Sequence, residues 1–354
     1  MFIYFLVLVL IAVVLFFCYN LKPCAFNKGV AAIFVALSLI FVAGFRYNVG
    51  TDYPVYINNY EVYKNLNLFD LSNFGKIGVS VVAKLSVFIY DHYATWFFIV
   101  SLLTVGIIIL AIYKYSDGFC FSILMYLFLG CWHNSFNVVK QSVAIAVILL
   151  AQKYLFEGKF FKWTLLCILA ATFHISAILL IPIYFLVRFK LNIRTLILMA
   201  AIGIAIACNY ESLFEAMNLL KMGEGVTGIG STVGSRSINL LRIAVACAPP
   251  VLLLLYRKSF DNSNMKLRIW ANFSIFNSVL YLACMNSVYL ARFCLYTDAF
   301  NMFFIPCLFS NMKKSGMKNV MMSLCATLYC AFWIYDLYKG STTRIFQWVF
   351  EEVI

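Results

Sequence analysis

Eight side chains in this sequence have the types and positions to hold or move charge at a membrane surface. In RYNVGTDYP (46–54), Arg46 and Asp52 stand six residues apart directly after an uncharged run, Val30 to Phe45. HNSFNVVKQS leads into Lys140 and Gln141, and His174 lies in the middle of LAATFHISAILL. Arg236 ends a glycine-rich stretch, and SVYLARFCLYTDAF carries Arg292 and, six residues on, Asp298. Cations that converge on one face suit an anionic lipid headgroup better than any one alone, and a carboxylate or imidazole beside them suits proton transfer. Each also has an ordinary reading. Arg and Lys at helix ends snorkel to headgroups, and a lone histidine in an apolar segment is often a packing residue. Asp298 is harder to dismiss, because ionisable residues within spans are costly and usually face a cavity or a partner.

The elements that must position these residues follow from composition. Of 354 residues, 64% are hydrophobic and only 12% charged, whereas a soluble domain has about a quarter of its residues charged. Apolar runs near transmembrane length recur from Met1 to Tyr338, and they are apolar all round, which excludes the alternation of a barrel. An all-α polytopic membrane protein is expected, as one transmembrane domain over 1–354. Spans are predicted at about 2–18, 29–45, 94–113, 119–136, 138–155, 195–209, 238–256, 269–286, 293–310 and 318–338. The first run lacks a basic region and a small-residue cleavage site and reads as a retained span. Twelve cysteines include no C-x-x-C, and the three histidines are scattered, so neither a disulfide framework nor a metal site is expected.

Charge orients the spans. Alternate loops hold Lys22 and Lys28; Lys114; Lys153, Lys159 and Lys162; Arg188, Lys190 and Arg194; Arg257, Lys258, Lys266 and Arg268; and Lys313, Lys314 and Lys318. Those loops carry 16 basic residues against three acids, and the rest of the chain is balanced at 11 and 11, so the whole net charge of +13 lies on one side. Basic loops are cytoplasmic. The pattern closes only if 77–90 and 163–187 each enter and leave by one face. Two re-entrant elements are therefore expected, with about 10–12 transmembrane or re-entrant helices in all and both termini outside. The outer face then owns 46–76, 210–237 and the tail 339–354.

GEGVTG at 223–228 matches G-x-G-x-x-G, but no strand precedes it and no helix opens after it. A mobile outer loop is the better reading, with no nucleotide. Nucleic acid is likewise not an expected partner. The many Phe and Tyr residues read mostly as lipid-facing or packing; a few tyrosines near the outer exit, such as Tyr47, Tyr53 and Tyr56, are of a type that can stack on sugar rings, which their spacing does not show.

Four blocks carry a resemblance across most of the chain: RYNVGTDYPVY (46–56), SFNVVKQSVAIAVILLAQKYL (135–155), LAATFHISAILLIP (169–182) and ARFCLY (291–296). Their order and spacing resemble the EpsG-type, Wzy-like polysaccharide polymerases of bacteria. The first block is the most specific. The second has Lys140-Gln141 where Arg-Gln is expected, which keeps the charge but loses the bidentate fork.

The resemblance implies a GT-C-like membrane glycosyltransferase in the bacterial cytoplasmic (inner) membrane, with its active site facing the periplasm or exterior. It would transfer a growing glycan from undecaprenyl diphosphate onto the next lipid-linked repeat unit, for O-antigen or a capsule-like polymer. The implied partners are those donor and acceptor oligosaccharides and the bilayer, with a chain-length regulator and a flippase usual in similar systems. No cofactor or metal is expected, because fixed cations can stabilise the diphosphate leaving group. On this reading Arg46, Lys140 and Arg292, with Arg236 second, hold the diphosphate. Asp52 or His174 assists the acceptor hydroxyl, and Gln141, Asp298 and Tyr53 support the site. A polyprenol-dependent ligase or other transferase would look much the same. A flippase is expected instead to show paired halves and midplane polar groups, and no internal repeat is evident.

Overall fold

The computed structural model describes residues 2–20, 25–209, 211–213, 215, 237–257, 260–312, 316–339 and 346–351. The described residues are mostly helical, and among them there is one two-stranded sheet. Among the described residues, five helices are by themselves long and apolar enough to cross a membrane: Asn27–Gly44, Leu71–Ile89, Tyr93–Tyr115, Val139–Glu157 and Gly316–Lys339. Shorter apolar helices of 10–17 residues accompany them. Their outward faces carry exposed Phe161, Leu254 and Val320, as lipid-facing helices must when every backbone group is satisfied internally.

The bundle has two distinct ends. Helices α1 (Phe2–Asn20) and α2 (Ala25–Gly44) are followed by the short strand β1 (Arg46–Tyr47), then by α3 (Tyr53–Asn65), α4 (Ile77–Ile89) and α5 (Tyr93–Tyr115). Helices α2 and α5 run antiparallel for their full length. At one end Gly44 lies so close to Phe98 that a Cβ would sit 2.9 Å from its ring. At the other, Lys28 donates to the Tyr113 carbonyl at 2.6 Å and lies 4.7 Å from the ring of Tyr113. The first is the end of Arg46.

Basic residues from distant loops collect at the second end. Next along the chain come α6 (Phe119–Phe128), α7 (Cys131–Asn134), α8 (Val139–Glu157), α9 (Phe160–Ala171), α10 (Leu180–Arg188), α11 (Ile193–Cys208), α12 (Leu240–Leu255) and α13 (Met265–Ala283). Lys266 pairs with Asp117 at 3.7 Å and lies 6.0 Å from the ring of Phe156, while Arg188 donates to the Leu155 carbonyl. Lys28, Arg188 and Lys266, from three of the basic loops, thus lie at one end of the bundle.

That Arg188 contact also settles the long run 163–187. Helix α8 ends at Gly158, whose φ of +74° a side chain would resist, and Arg188 packs directly against it. The segment from α9 to α10 therefore leaves and returns at the basic end, as a hairpin whose limbs are joined by Trp163 Nε1 donating to the Leu180 carbonyl at 3.1 Å. Pro182 falls in the first turn of α10, where no N–H is needed. The tip, Thr172–His174, meets α4, whose Gly78 N–H donates to Thr172 O at 2.9 Å.

The stretch containing α4 is apolar enough to cross, yet both of its ends are tied to the Arg46 end. Trp96, one turn into α5, donates to Val79 O at 3.4 Å, and Asp91, just past the other end, binds Tyr60 and Lys64 of α3. Helix α4 lies across the top of α5 and does not run along it.

After a single turn at Val288–Ala291 come α14 (Cys294–Asp298), α15 (Asn301–Ser310) and α16 (Gly316–Lys339), followed by the strand β2 (Gln347–Trp348). Strand β2 pairs antiparallel with β1, Arg46 opposite Trp348 and Tyr47 opposite Gln347. Tyr4 near the start of α1 packs on Trp132, His133 and Phe346. Tyr4 and the strand β2 therefore both sit at the Arg46 end. Arg236, the GEGVTG stretch and most of 210–237 lie outside the described residues.

Candidate active site

The loop from Phe45 to Asp52 is folded by its own sequence. Asn48 and Gly50 both take positive φ, 49° and 108°, conformations that favour residues of these types. A Cβ on Gly50 would lie 2.7 Å from Asn137 Oδ1 and 3.1 Å from the Phe136 carbonyl. Only glycine lets 46–52 close on 136–137, and Thr51 Oγ1 then bonds Asn137 Oδ1 at 3.2 Å. Pro54 in the first turn of α3 fixes the direction of the exit.

Arg46 turns into the protein. It is 2% exposed, and its guanidinium donates to the carbonyls of Ala43 and Phe136. The rings of Phe97 and Phe136 lie 4.7 and 4.8 Å from its Cζ. Buried cations need such partners, because desolvation without them is prohibitive. The expected diphosphate contact of Arg46 does not suit this geometry, in which its donors brace the loop. Tyr53 is also inward: 1% exposed, it stacks on Phe97 at 4.8 Å and donates to Arg46 O at 3.2 Å. Tyr56 is buried against Trp96 and Phe97. The sugar-stacking expectation for Tyr53 and Tyr56 gives way to packing, since their rings are already covered.

Arg292 is the outward-facing counterpart. Its side chain is 46% exposed, and Nη2 lies 3.6 Å from Asp52 Oδ2. The partner of Asp52 is thus Arg292 and not the nearby Arg46. Gln141 Nε2 donates to the Arg292 carbonyl at 2.7 Å, which supports the arginine through its backbone and leaves the guanidinium available. That bond also sets the first turn of α8 beside Arg292, and Lys140, the residue before Gln141, lies with its ammonium 5.8 Å from the Tyr63 ring.

His174 completes the group from the hairpin tip. Its Nδ1 bonds Ser176 Oγ at 2.6 Å, and Ser176 Oγ bonds Tyr296 OH at 3.1 Å. Tyr296 stands four residues beyond Arg292 in the chain, so this hydrogen-bonded string ties the hairpin tip to the segment that carries Arg292. Ser176 and Tyr296 were not singled out from the sequence. The first lies two residues from His174, but the second is distant and only the fold joins them.

Asp298 stands apart. Its Oδ1 accepts from Asn277 at 3.2 Å and Asn301 at 2.9 Å, and it borders an internal cavity of about 20 Å³ with Asn134 and Ser142. Room for about one water is all this provides. The expected support of the cation cluster by Asp298 is not made by contact. His133 accepts from Trp333 Nε1 at 3.1 Å and is a buried packing residue. Among the described residues no group of three or more His, Cys, Asp or Glu side chains is arranged to hold a metal.

Arg292, Lys140, Asp52 and His174 come from four segments far apart in the chain. Together they present two cations, a carboxylate and an imidazole at one end of the bundle. Such a set can hold a polyanionic leaving group and accept a proton from an incoming hydroxyl. The family model described as EpsG family matches residues 30–349, which include every residue of this cluster. No curated protein matches the chain, and no solved structure does.

Proposed function

The chain belongs to the EpsG family, and from that premise we propose that it is a membrane glycosyltransferase that polymerises lipid-linked oligosaccharide repeat units. The donor is a glycan on a polyprenyl diphosphate, of which undecaprenyl diphosphate is the bacterial form. The acceptor is the free end of the next lipid-linked unit, and the reaction takes place at the outer face of the cytoplasmic membrane. The product is a surface polysaccharide of the O-antigen or capsule-like class. The observation that carries this reading is the convergence of Arg292, Lys140, Asp52 and His174 at the end opposite the basic loops.

The chemistry asked of the site is modest in parts and demanding in geometry. The acceptor oxygen attacks the anomeric carbon, the bond from that carbon to the diphosphate breaks, and the electron pair stays on the diphosphate. Lys140 and Arg292 hold the charge that builds there. The acceptor proton passes to His174. In the tautomer whose Nδ1–H donates to Ser176 Oγ, Nε2 carries the lone pair that takes it. Asp52 serves as the resting counter-ion of Arg292. Arg46 acts through the loop it braces and not on the substrate.

The test is the length pattern of surface polysaccharide in a deletion strain complemented with wild type, Arg292→Ala or His174→Ala at matched protein levels. Wild type restores long polymer, and the two variants leave single repeat units on the final acceptor. Polymer stranded on polyprenol would point to a ligase instead. Long polymer from both variants would overturn the assignment of the site.

A further inference from the structure

A second cleft on the Arg46 end plays no part in the steps above. It has a volume of about 320 Å³ and is lined by Asn58, Tyr60, Glu61, Asp91, His92 and Tyr93. That is the lower range of small-molecule sites, which take up ~300–1,000 Å³. Its walls come from α3 and from the turn between α4 and α5, so it is built from two elements locked together. Tyr60 OH donates to Asp91 Oδ1 at 2.9 Å, Ser86 Oγ bonds Tyr60 OH at 3.2 Å, and Lys64 Nζ reaches both Asp91 oxygens at 3.2 Å and Glu61 at 2.9 Å.

The lining has the donors, acceptors and flat rings that recognise a neutral polyol. Asp91 accepts three of these hydrogen bonds, two on Oδ1 and one on Oδ2, which leaves acceptor capacity on Oδ2. His92 caps α5 by accepting the Ala94 N–H on Nδ1 at 3.2 Å, so in the neutral ring the proton sits on Nε2 as a donor. The His92 and Tyr93 rings lie 4.2 Å apart, and Tyr90, 68% exposed, lies 6.0 Å from His92. The carboxylates of Glu61 and Asp91 outnumber the ammonium of Lys64, which disfavours a second phosphate group here. Phe88 and Ile89 beside the cleft are exposed, which suits the level where headgroups meet acyl chains.

Helix α3 connects the cleft to the cation cluster. Asp52 stands at its start and Glu61 nine residues later, ~14 Å along the axis at 1.5 Å per residue. We propose that this cleft binds neutral sugar residues of the glycan while its diphosphate end is held at Lys140 and Arg292. The proposal rests on the polymerase reading for its ligand but on its own residues for its geometry. It makes α3 a ruler between the reacting bond and sugars a few rings away.

The full chain in nanodiscs is titrated with oligosaccharides obtained by partial acid hydrolysis of the producing strain's surface polysaccharide. Binding is read by saturation-transfer NMR or calorimetry. Tyr93→Ala and Asp91→Asn are expected to raise Kd at least tenfold, and Arg292→Ala to leave it within twofold. Asn58→Ala and Glu61→Gln change side chains at the rim and keep the test open if Tyr93→Ala fails to fold; each is expected to weaken binding at least threefold. Absence of binding to wild type, or equal binding by folded cleft variants, overturns the proposal. Binding that depends on the cleft, beside long polymer in Arg292→Ala and His174→Ala cells, would overturn the polymerase site and leave the cleft standing.

Discussion

The two arginines of the site should fail in opposite ways. Arg46→Met removes a buried cation of similar length. It leaves the Ala43 and Phe136 carbonyls without their donor, at about 1–3 kcal/mol for each buried group left unpaired. Loss of the contacts with Phe97 and Phe136 adds up to about 2 kcal/mol for a desolvated cation over a ring. The sum is on the order of 5 kcal/mol, enough to lower the unfolding midpoint by roughly 10 °C. Arg292→Met removes a side chain that is 46% exposed with one ion pair at 3.6 Å. Exposed pairs contribute about 0–1 kcal/mol, so the midpoint should barely move. Its cost should appear in the reaction, at about 10²–10³-fold for one lost stabiliser of the developing charge.

Both variants are assayed as full chain in nanodiscs, by tryptophan fluorescence on heating and by single-turnover joining of lipid-linked repeat units. For Arg46→Met, the activity lost should follow the folded fraction and return on cooling. For Arg292→Met, folded protein should be inactive at every temperature. An Arg46→Met protein that melts like wild type but has lost a hundredfold in rate, beside an active Arg292→Met, would refute the inward reading of Arg46.

Three further outcomes are expected. Gly50→Ala should destabilise by about 1–3 kcal/mol, because a Cβ at φ 108° meets Asn137 and Phe136; Gly106→Ala, where nothing lies within 4 Å, should leave the thermal midpoint unchanged or raise it. The Tyr60 hydroxyl and then the Lys64 ammonium hold the Asp91 carboxyl below its usual range, so this tie is complete above the unfolded value of about 3.9 and is lost as pH falls through the folded one. Hydrogen exchange over 60–65, corrected for its intrinsic rate, should be equal at pH 7 and 5, faster below about pH 4, and already fast at pH 7 in Asp91→Asn. In a background without native thiols, Asn58→Cys should label from outside the cell membrane and Lys153→Cys should not; the reverse would invert the orientation drawn from the basic loops.

How much of this was legible in the sequence depended on whether the signal was local. The hairpin 160–188 was, since an apolar run too long for one span and too short for two has few ways to end on the side its flanking charges require. The two-ended bundle was legible for the same reason. The direction of Arg46 was not. An arginine that leaves a span looks the same whether it faces solvent or protein, and the groups that decide, Phe97 in α5 and the Phe136 carbonyl in the turn before α8, arrive from distant parts of the chain. Asp52 misled in the same way, because its neighbour in sequence was Arg46 and its neighbour in space is Arg292. The burial of Tyr53, Tyr56, Tyr60 and Tyr63 did have a signal: their three- and four-residue steps draw one face of α3.

The contrast between the arginines explains how one site can be both rigid and able to turn over. Arg46 is fixed by backbone carbonyls and rings, so the loop that presents Asp52 does not depend on substrate for its shape. Arg292 is placed by its own carbonyl, through Gln141, and its guanidinium is held only by a long, half-exposed contact with Asp52. On the function proposed above, a diphosphate would bring at least two charges to Lys140 and Arg292, against one on the carboxylate it displaces. The exchange costs little, since the pair given up is worth about 1 kcal/mol or less. On the same proposal, Asp52 restores the counter-charge when the product diphosphate leaves. A tighter Asp52–Arg292 pair would compete with substrate, and with no pair at all Arg292 would face Lys140 uncompensated between turnovers. The loose contact is what a polyanion site that must empty on every cycle requires.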